Sequence, residues 1–523
     1  MSVAEEQKSA VVQSAGTVSG WTAISRVLGL ARDIVMTALL GASWAHDVFA
    51  YAWTLPNAFR RLFGEGALGT AFIPVFTKSL ESDGEERAAG VARQTISNLG
   101  AALAGLVGVF ILVALVLPPK ALGEAAGFSR PEQADLLLWL VITLLPYLVV
   151  VCVLAQFMGV LNALGRFDVP AISPVILNVV WLGAAGLAFV TVDDPAGQVR
   201  FIAGGILLGA ALQFFWHLPA LSAVGVPFRF VRPTWTPEMR QVMKMMGPMV
   251  LGMGAVQVNI LVDRTVALVL LPEGGTTHLY YAMRLMQLPL ALISISLATA
   301  VYPVLARLMA QDDPKGMAET ASLSLRTHLL VALPAATGLM VLAKPIISLL
   351  FERGAFTASS TAITGEALAG YAVGLPFLGM AILLQRACYA SGDPWLPVRI
   401  AWPMVIMNVV LDLVLVGPYG ALGLAIASSL AAMGTAALLL IVLRRRLFAS
   451  VGIAAIGPMG GLLAMTLILG VTVTFLDMWL VWNPAWVRVA AGVLAGLCIF
   501  GLLAPRFCRE EWQRVRALFP LRQ

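Results

Sequence analysis

Fourteen times along the chain a run of about twenty or more mostly apolar residues is closed off by charges, glycine or proline. Runs of that length fit the hydrocarbon of a bilayer as α-helices, whereas the strands of a membrane barrel alternate over about ten residues. The runs fall near 17–40, 46–78, 92–117, 134–162, 170–190, 200–223, 241–271, 277–308, 324–350, 361–391, 396–416, 421–443, 453–476 and 485–504. A soluble domain is excluded on composition: 59% of the residues are hydrophobic and 12% charged, about half the charge of a typical soluble chain. The fold class is therefore an all-α polytopic membrane protein with 14 transmembrane helices. The second and eighth runs contain Pro56, Pro74, Pro289 and Pro303, so both are expected to be bent or broken. Broken helices in a membrane line protein or a cavity, because freed backbone groups cannot face lipid.

The net charge of +6 would point to nucleic acid in a soluble protein. Here 22 of the 34 Lys and Arg fall on segments of one side, including Arg444, Arg445, Arg446 and the tail from Arg506 to Arg522, and six fall near the other (Lys120, Arg130, Arg200, Lys344, Arg353, Arg488). This bias gives an orientation with both termini in the cytoplasm, and no nucleic-acid partner is expected. Cys152, Cys388, Cys498 and Cys508 have neither CxxC nor metal-ligand spacing, and with the first 16 residues polar no cleaved signal peptide is expected. The catalytic motifs HExxH, GxSxG and Walker A are absent, and His46, His217, His278 and His328 are dispersed, so the chain reads as a transporter and not an enzyme.

The chain also resembles itself. Residues 67–76 (ALGTAFIPVF) align with 296–305 (SLATAVYPVL) at an offset of 229, and Pro146 with Pro376 and Asn178 with Asn408 at an offset of 230. The expectation is two six-helix lobes in parallel repeat, at 1–235 and 236–450, with two extra helices and a basic tail at 451–523.

Six arginines lie inside or at the edges of the runs: Arg26, Arg32, Arg60, Arg61, Arg264 and Arg284. An arginine at a helix centre costs about 2.5–3.5 kcal/mol on insertion scales, so it faces a polar cavity or a partner, or snorkels to an interface. Arg32 has Asp33 as a neighbour, and Arg60 and Arg61 have Glu65 nearby. Converging arginines suit a multiply charged anion, because the guanidinium fork binds phosphate oxygens in pairs. Asp47 opens the second run, where a helix-start acid and a functional acid are equally good readings. A second set is rich in oxygen: Asn408 and Asp412 at i and i+4, with Asp263 and Ser428. It suits a hard cation such as Na⁺, against the plainer reading of an Asp263–Arg264 pair and an interhelical amide bond.

Three stretches carry a family resemblance: 25–33 (SRVLGLARD), 55–67 (LPNAFRRLFGEGA) with 71–76 (AFIPVF), and 280–289 (YYAMRLMQLP) with 350–357 (LFERGAFT). They resemble the signatures of the MurJ (MviN) family of lipid II flippases, in the multidrug/oligosaccharidyl-lipid/polysaccharide exporter superfamily. The resemblance implies two lobes around a cationic cavity that opens alternately to either side of the bacterial inner membrane. It places the family's substrate-binding residues on Arg26, Arg32, Arg60, Arg284 and Asp47, and a groove for the undecaprenyl tail on the last two helices. It places a sodium site on Asp263, Asn408, Asp412 and Ser428, with the Leu424 carbonyl as a further ligand; no other cofactor is expected. The substrate would be lipid II, with another undecaprenyl-diphosphate-linked glycan such as an O-antigen unit as the alternative, and the protein would act as a monomer in the bilayer. A drug–cation antiporter fits less well, since arginines repel cations. One departure stands out: where some members carry acids flanking the eighth-helix arginine, this chain has Met283 and Gln287.

Overall fold

A computed structural model describes residues 3–64, 67–128, 130–446, 459–509 and 511–513. Among them the regular structure is helical throughout, in two compact units, Met1–Gln257 and Val258–Gln523. Eleven helices are long and apolar enough to cross a membrane. Large apolar side chains stand exposed along them, Val116 at 81% and Phe475 at 72%. In water such a surface would aggregate; in lipid it is the solvated surface.

The first unit runs α1 (Val3–Leu40), α2 (Trp44–Phe59), a π-helical segment (Arg60–Gly64), α3 (Ala67–Asp83), α4 (Glu85–Val116), the short α5 (Pro119–Ala126), α6 (Pro131–Ala163), α7 (Asp168–Thr191) and α8 (Pro195–Ala223). Helix α6 is its axis. Leu136, Leu140, Leu144 and Leu148 recur every four residues, so they share one face, and all are buried. Further along, Phe157 packs its ring on Phe214 of α8 and on Phe228. Helix α9 (Pro237–Leu270) crosses from the first unit into the second. Its first turn belongs to the former, where Glu238 pairs with Arg87 of α4 at 2.6 Å.

The second unit continues with α10 (Gly275–Pro289), a second π-helical segment (Leu290–Ile295), α11 (Ser296–Ala310), α12 (Pro314–Val341), the short α13 (Ala343–Phe351), α14 (Ala358–Ala390), α15 (Trp395–Arg446), α16 (Met459–Trp479) and α17 (Ala485–Phe507). Here α14 is the central helix. It meets α15 through small residues: Ser429 Oγ donates to the Gly370 carbonyl at 2.7 Å, and a Cβ on Gly374 would fall 2.9 Å from Ser429 Cα. Close backbone approach of this kind is how helices associate where lipid removes the hydrophobic drive.

The order of elements repeats. Each unit has a π segment, after α2 in the first and after α10 in the second, beginning at Arg60 and at Leu290, 230 residues apart, and a short helix before its central one. The helices expected to break at Pro56 and Pro289 are interrupted just beyond those prolines by these π segments. Pro74 and Pro303 instead sit within continuous helix.

Helix α15 has 52 residues and would measure about 78 Å if straight, far more than a bilayer's hydrocarbon. It breaks at Gly420, whose φ of 55° and ψ of −132° lie outside the range of L side chains. The chain folds back there so tightly that a Cβ on Gly423 would collide with the Leu415 carbonyl. The expected division between 416 and 421 is thus real, without a loop. The run at 324–350 divides at Leu342 into α12 and α13. Helix α5, with Lys120 and Glu124 in eight residues, is too short and polar for an apolar run to mark it. Glu65, residues 453–458 and Arg514, Arg516 and Arg522 of the basic tail lie outside the described residues.

Candidate functional site

In the first unit the arginines expected to bind an anion fall into two environments. Arg26 is exposed on α1. Arg60 opens the π segment, half-buried, with Nε donating to Asn57 Oδ1 at 3.4 Å, and Arg61 follows it, also half-buried. Asp47 is buried in the first turn of α2, which Ser43 caps by accepting from the His46 amide.

Arg32 is different. It is 7% exposed, with Nε and Nη2 donating to Asp33 Oδ1 at 3.2 and 2.8 Å and Nη1 donating to Asn178 Oδ1 on α7 at 3.2 Å. Its guanidinium carbon lies 4.4 Å from the centre of the Trp181 ring, within the range of a cation–π contact. Asn178 Nδ2 returns to the Ser25 carbonyl at 3.1 Å. These contacts fasten α1 to α7. Sequence reasoning brought out Asp33 and, through the repeat, Asn178, but not Trp181; the signal was its place one turn after Asn178, at i+3.

In the second unit Arg284 is half-buried on α10, five residues ahead of Pro289 and its π segment. Arg264 is buried and committed elsewhere: Nη1 donates to the Thr276 carbonyl at 3.1 Å, Nη2 reaches the Met283 sulfur at 3.8 Å, and the guanidinium faces the Tyr280 ring at 5.7 Å. Met283, at a position where some family members carry an acid, therefore sits against a cation.

The oxygen-rich set does come together. Asn408 Nδ2 donates to Asp263 Oδ1 at 2.6 Å and to Asp412 Oδ2 at 3.0 Å, and Ser428 Oγ donates to Asp263 Oδ2 at 2.9 Å. Asn259 Nδ2 adds a longer contact to the same oxygen, 3.4 Å. Asp263, Asn408 and Asp412 are 2%, 0% and 0% exposed. Leu424 is buried one helical turn before Ser428. The breaking of α15 at Gly420 puts Asn408 and Asp412 on one arm and Leu424 and Ser428 on the other. No ion pair joins Asp263 and Arg264 among the described residues, because the Arg264 guanidinium is turned to Thr276 and Met283.

Two atoms of this cluster, Asn408 Oδ1 and Asp412 Oδ1, are buried without a hydrogen-bond partner. Buried oxygens left unmatched cost free energy, and two adjacent carboxylates repel. A small hard cation would answer both, since the two unmatched atoms are oxygens. The residues thus fit Na⁺.

A groove of about 630 Å³ runs along α12 and α16, lined by Thr337, Val341, Leu467, Val471, Phe475 and Met478. A Cβ on Gly470 would fall 2.9 Å from Thr337 Cγ2, so the small residue lets the two helices touch there.

Residues 36–496 match the family described as "Lipid II flippase MurJ". A probable lipid II flippase MurJ of Vibrio cholerae is 35% identical over 442 residues, 82% of each chain. The solved structure of a lipid II flippase MurJ in an inward closed conformation matches with a TM-score of 0.75 and 25% identity, covering 94% of this chain and 99% of the other. The inward-facing structure of a multidrug resistance MATE transporter of the MOP superfamily matches with a TM-score of 0.66 over 82% of this chain and 96% of its own, at 16% identity, a likeness of fold. The chain belongs to the MurJ lipid II flippase family.

Proposed function

We propose that this protein flips lipid II, carrying the diphosphate-linked headgroup from the cytoplasmic to the outer leaflet of the bacterial inner membrane. The family match over 36–496 carries the reading, and the membrane-embedded arginines agree with it. A diphosphate needs several guanidinium groups in a site of low dielectric, and a drug–cation transporter would not place them there. Arg26, Arg60 and Arg284 bind the phosphates and sugars directly, with Asp47 acting near the outer end of α2. Arg32 adds its positive field from its place at Asp33 and Asn178.

The chain crosses fourteen times. The eleven long apolar helices are joined by α1 and by the α2–α3 pair, and α15 crosses twice about Gly420. Both termini are cytoplasmic, as the positive bias requires. The protein works as a monomer in the bilayer and needs no nucleic acid. The groove along α12 and α16 receives part of the polyprenyl tail.

Na⁺ binds at Asp263, Asn408, Asp412 and Ser428, with the Leu424 carbonyl completing the shell. By holding α9 to both arms of α15 it favours one conformation of the second unit, and so biases the cycle.

The test is complementation in bacteria depleted of their own flippase, with lipid II translocation measured at matched expression. The parent protein restores translocation, and Arg26→Ala, Arg60→Ala and Arg284→Ala each lose it. A folded, membrane-inserted parent that restores nothing would instead assign the protein to another undecaprenyl-diphosphate-linked glycan.

A further inference from the structure

The two units bury the same pair of residues at corresponding places, and only one pair is supplied with a cation by the chain itself. Asp33 of α1 and Asn178 of α7 stand 230 residues before Asp263 of α9 and Asn408 of α15. The same offset relates Tyr51-Ala52 to Tyr281-Ala282 and the starts of the two π segments. In the second unit Asn408 turns its amide nitrogen to the carboxylates and leaves Oδ1 with no donor. In the first, the corresponding atom, Asn178 Oδ1, takes Arg32 Nη1 at 3.2 Å, while the same guanidinium holds Asp33 Oδ1 through two nitrogens.

The residue matching Arg32 in the second unit is Val262, which offers no charge, and Arg264 is spent on Thr276 and Met283. Leu182 stands at the place of Asp412. One unit therefore has one carboxylate and a built-in cation; the other has two carboxylates and none.

We propose that Asp33 and Asn178 form a second cation site, the repeat counterpart of the Asp263–Asn408 site, in which the Arg32 guanidinium permanently stands where the second unit takes a free ion. The Trp181 face, 4.4 Å from the guanidinium carbon, selects a flat organic cation over a hydrated metal ion. The link between α1 and α7 is then fixed whatever the ionic conditions, while the link between α9 and α15 depends on the ion. For the second unit the comparison rests on the Na⁺ reading above; the emptied first-unit site is tested apart from it.

Thermal unfolding of the purified full-length protein in lipid nanodiscs separates the two. Wild type, R32G, R32G/D33N and D412N are compared in choline chloride and with choline partly replaced, at constant ionic strength, by methylguanidinium or by Na⁺. R32G melts below wild type and regains part of the loss in methylguanidinium, more than in Na⁺. R32G/D33N does not respond to methylguanidinium. An R32G that methylguanidinium leaves unchanged, or a response that persists in R32G/D33N, overturns the proposal. If R32G does not accumulate in membranes, R32Q, which keeps most of the side-chain volume, is read by the same two outcomes. A wild type indifferent to Na⁺, or a D412N that keeps the Na⁺ response, sinks the second-unit reading and leaves the methylguanidinium result standing.

Discussion

Asn408 holds two buried carboxylates with one amide nitrogen, at 2.6 and 3.0 Å. Asn408→Leu removes that donor and leaves both acids facing each other, which is expected to cost about 3 kcal/mol. Adding Asp412→Asn to Asn408→Leu removes one charge and should recover part of the loss, a sign that thermal unfolding reads directly. In the other unit Trp181→Leu deletes the ring beneath Arg32 and should cost about 1 kcal/mol beyond its packing. The comparison is with Trp181→Phe, which keeps an aromatic face. At this scale the sequence reveals which residues are out of place in a membrane but not their partners. Arg32 and Arg264 both read as unusual intramembrane charges. Only the packing of α7 against one and of α10 against the other distinguishes them from Arg26, which is exposed. The i, i+4 spacing of Asn408 and Asp412 did survive into the structure, because a helix fixes which side chains share a face.

Gly420 lets one long apolar segment turn back within itself. Gly420→Ala forces an L side chain into a backbone region that costs about 1–3 kcal/mol, and it should lower the melting temperature and weaken any Na⁺ stabilisation, since both arms of α15 contribute to that cluster. Gly417→Ala is the control. A Cβ there meets nothing within 4 Å, so this change should be neutral or slightly stabilising. Elements were the most legible level of the sequence. Apolar runs mark where lipid replaces water, and their ends came within a few residues for most helices, from 134–162 against Pro131–Ala163 to 485–504 against Ala485–Phe507. The failures have physical causes. Nothing in hydropathy separates α12 from α13 at Leu342, since both sides are apolar. The π segments, which lie just beyond Pro56 and Pro289, leave no mark in hydropathy, because a widened turn has the same apolar residues as an ordinary one.

For the molecule as a whole, a few offset matches pointed to a repeat, and the order of elements recurs in the two units. What differs between them was not legible, since it lies in how side chains of distant helices meet. On the proposed orientation, a reporter that matures only in the cytoplasm should be active when fused after residue 523, and one that matures only outside should be silent there; the reverse pattern would overturn the orientation. Blocking the groove along α12 and α16 with Val471→Trp, at a lining residue that is 61% exposed, should reduce lipid II translocation while the melting temperature stays near that of wild type. Equal loss of both would make the groove a packing feature and not a lipid path.

The two π segments give each lobe a spare peptide unit in its second crossing helix. A π turn that tightened to an α turn would screw everything beyond it round by roughly 100° relative to what lies before. Arg60 rides on the first thread, whereas Arg284 lies ahead of the second and would keep its bearing. One cationic side chain is thus mounted on a joint that can be re-indexed without breaking the helix, and the other is mounted upstream of it. The same mechanical part, copied into both halves, carries its charge on the joint in one and ahead of it in the other.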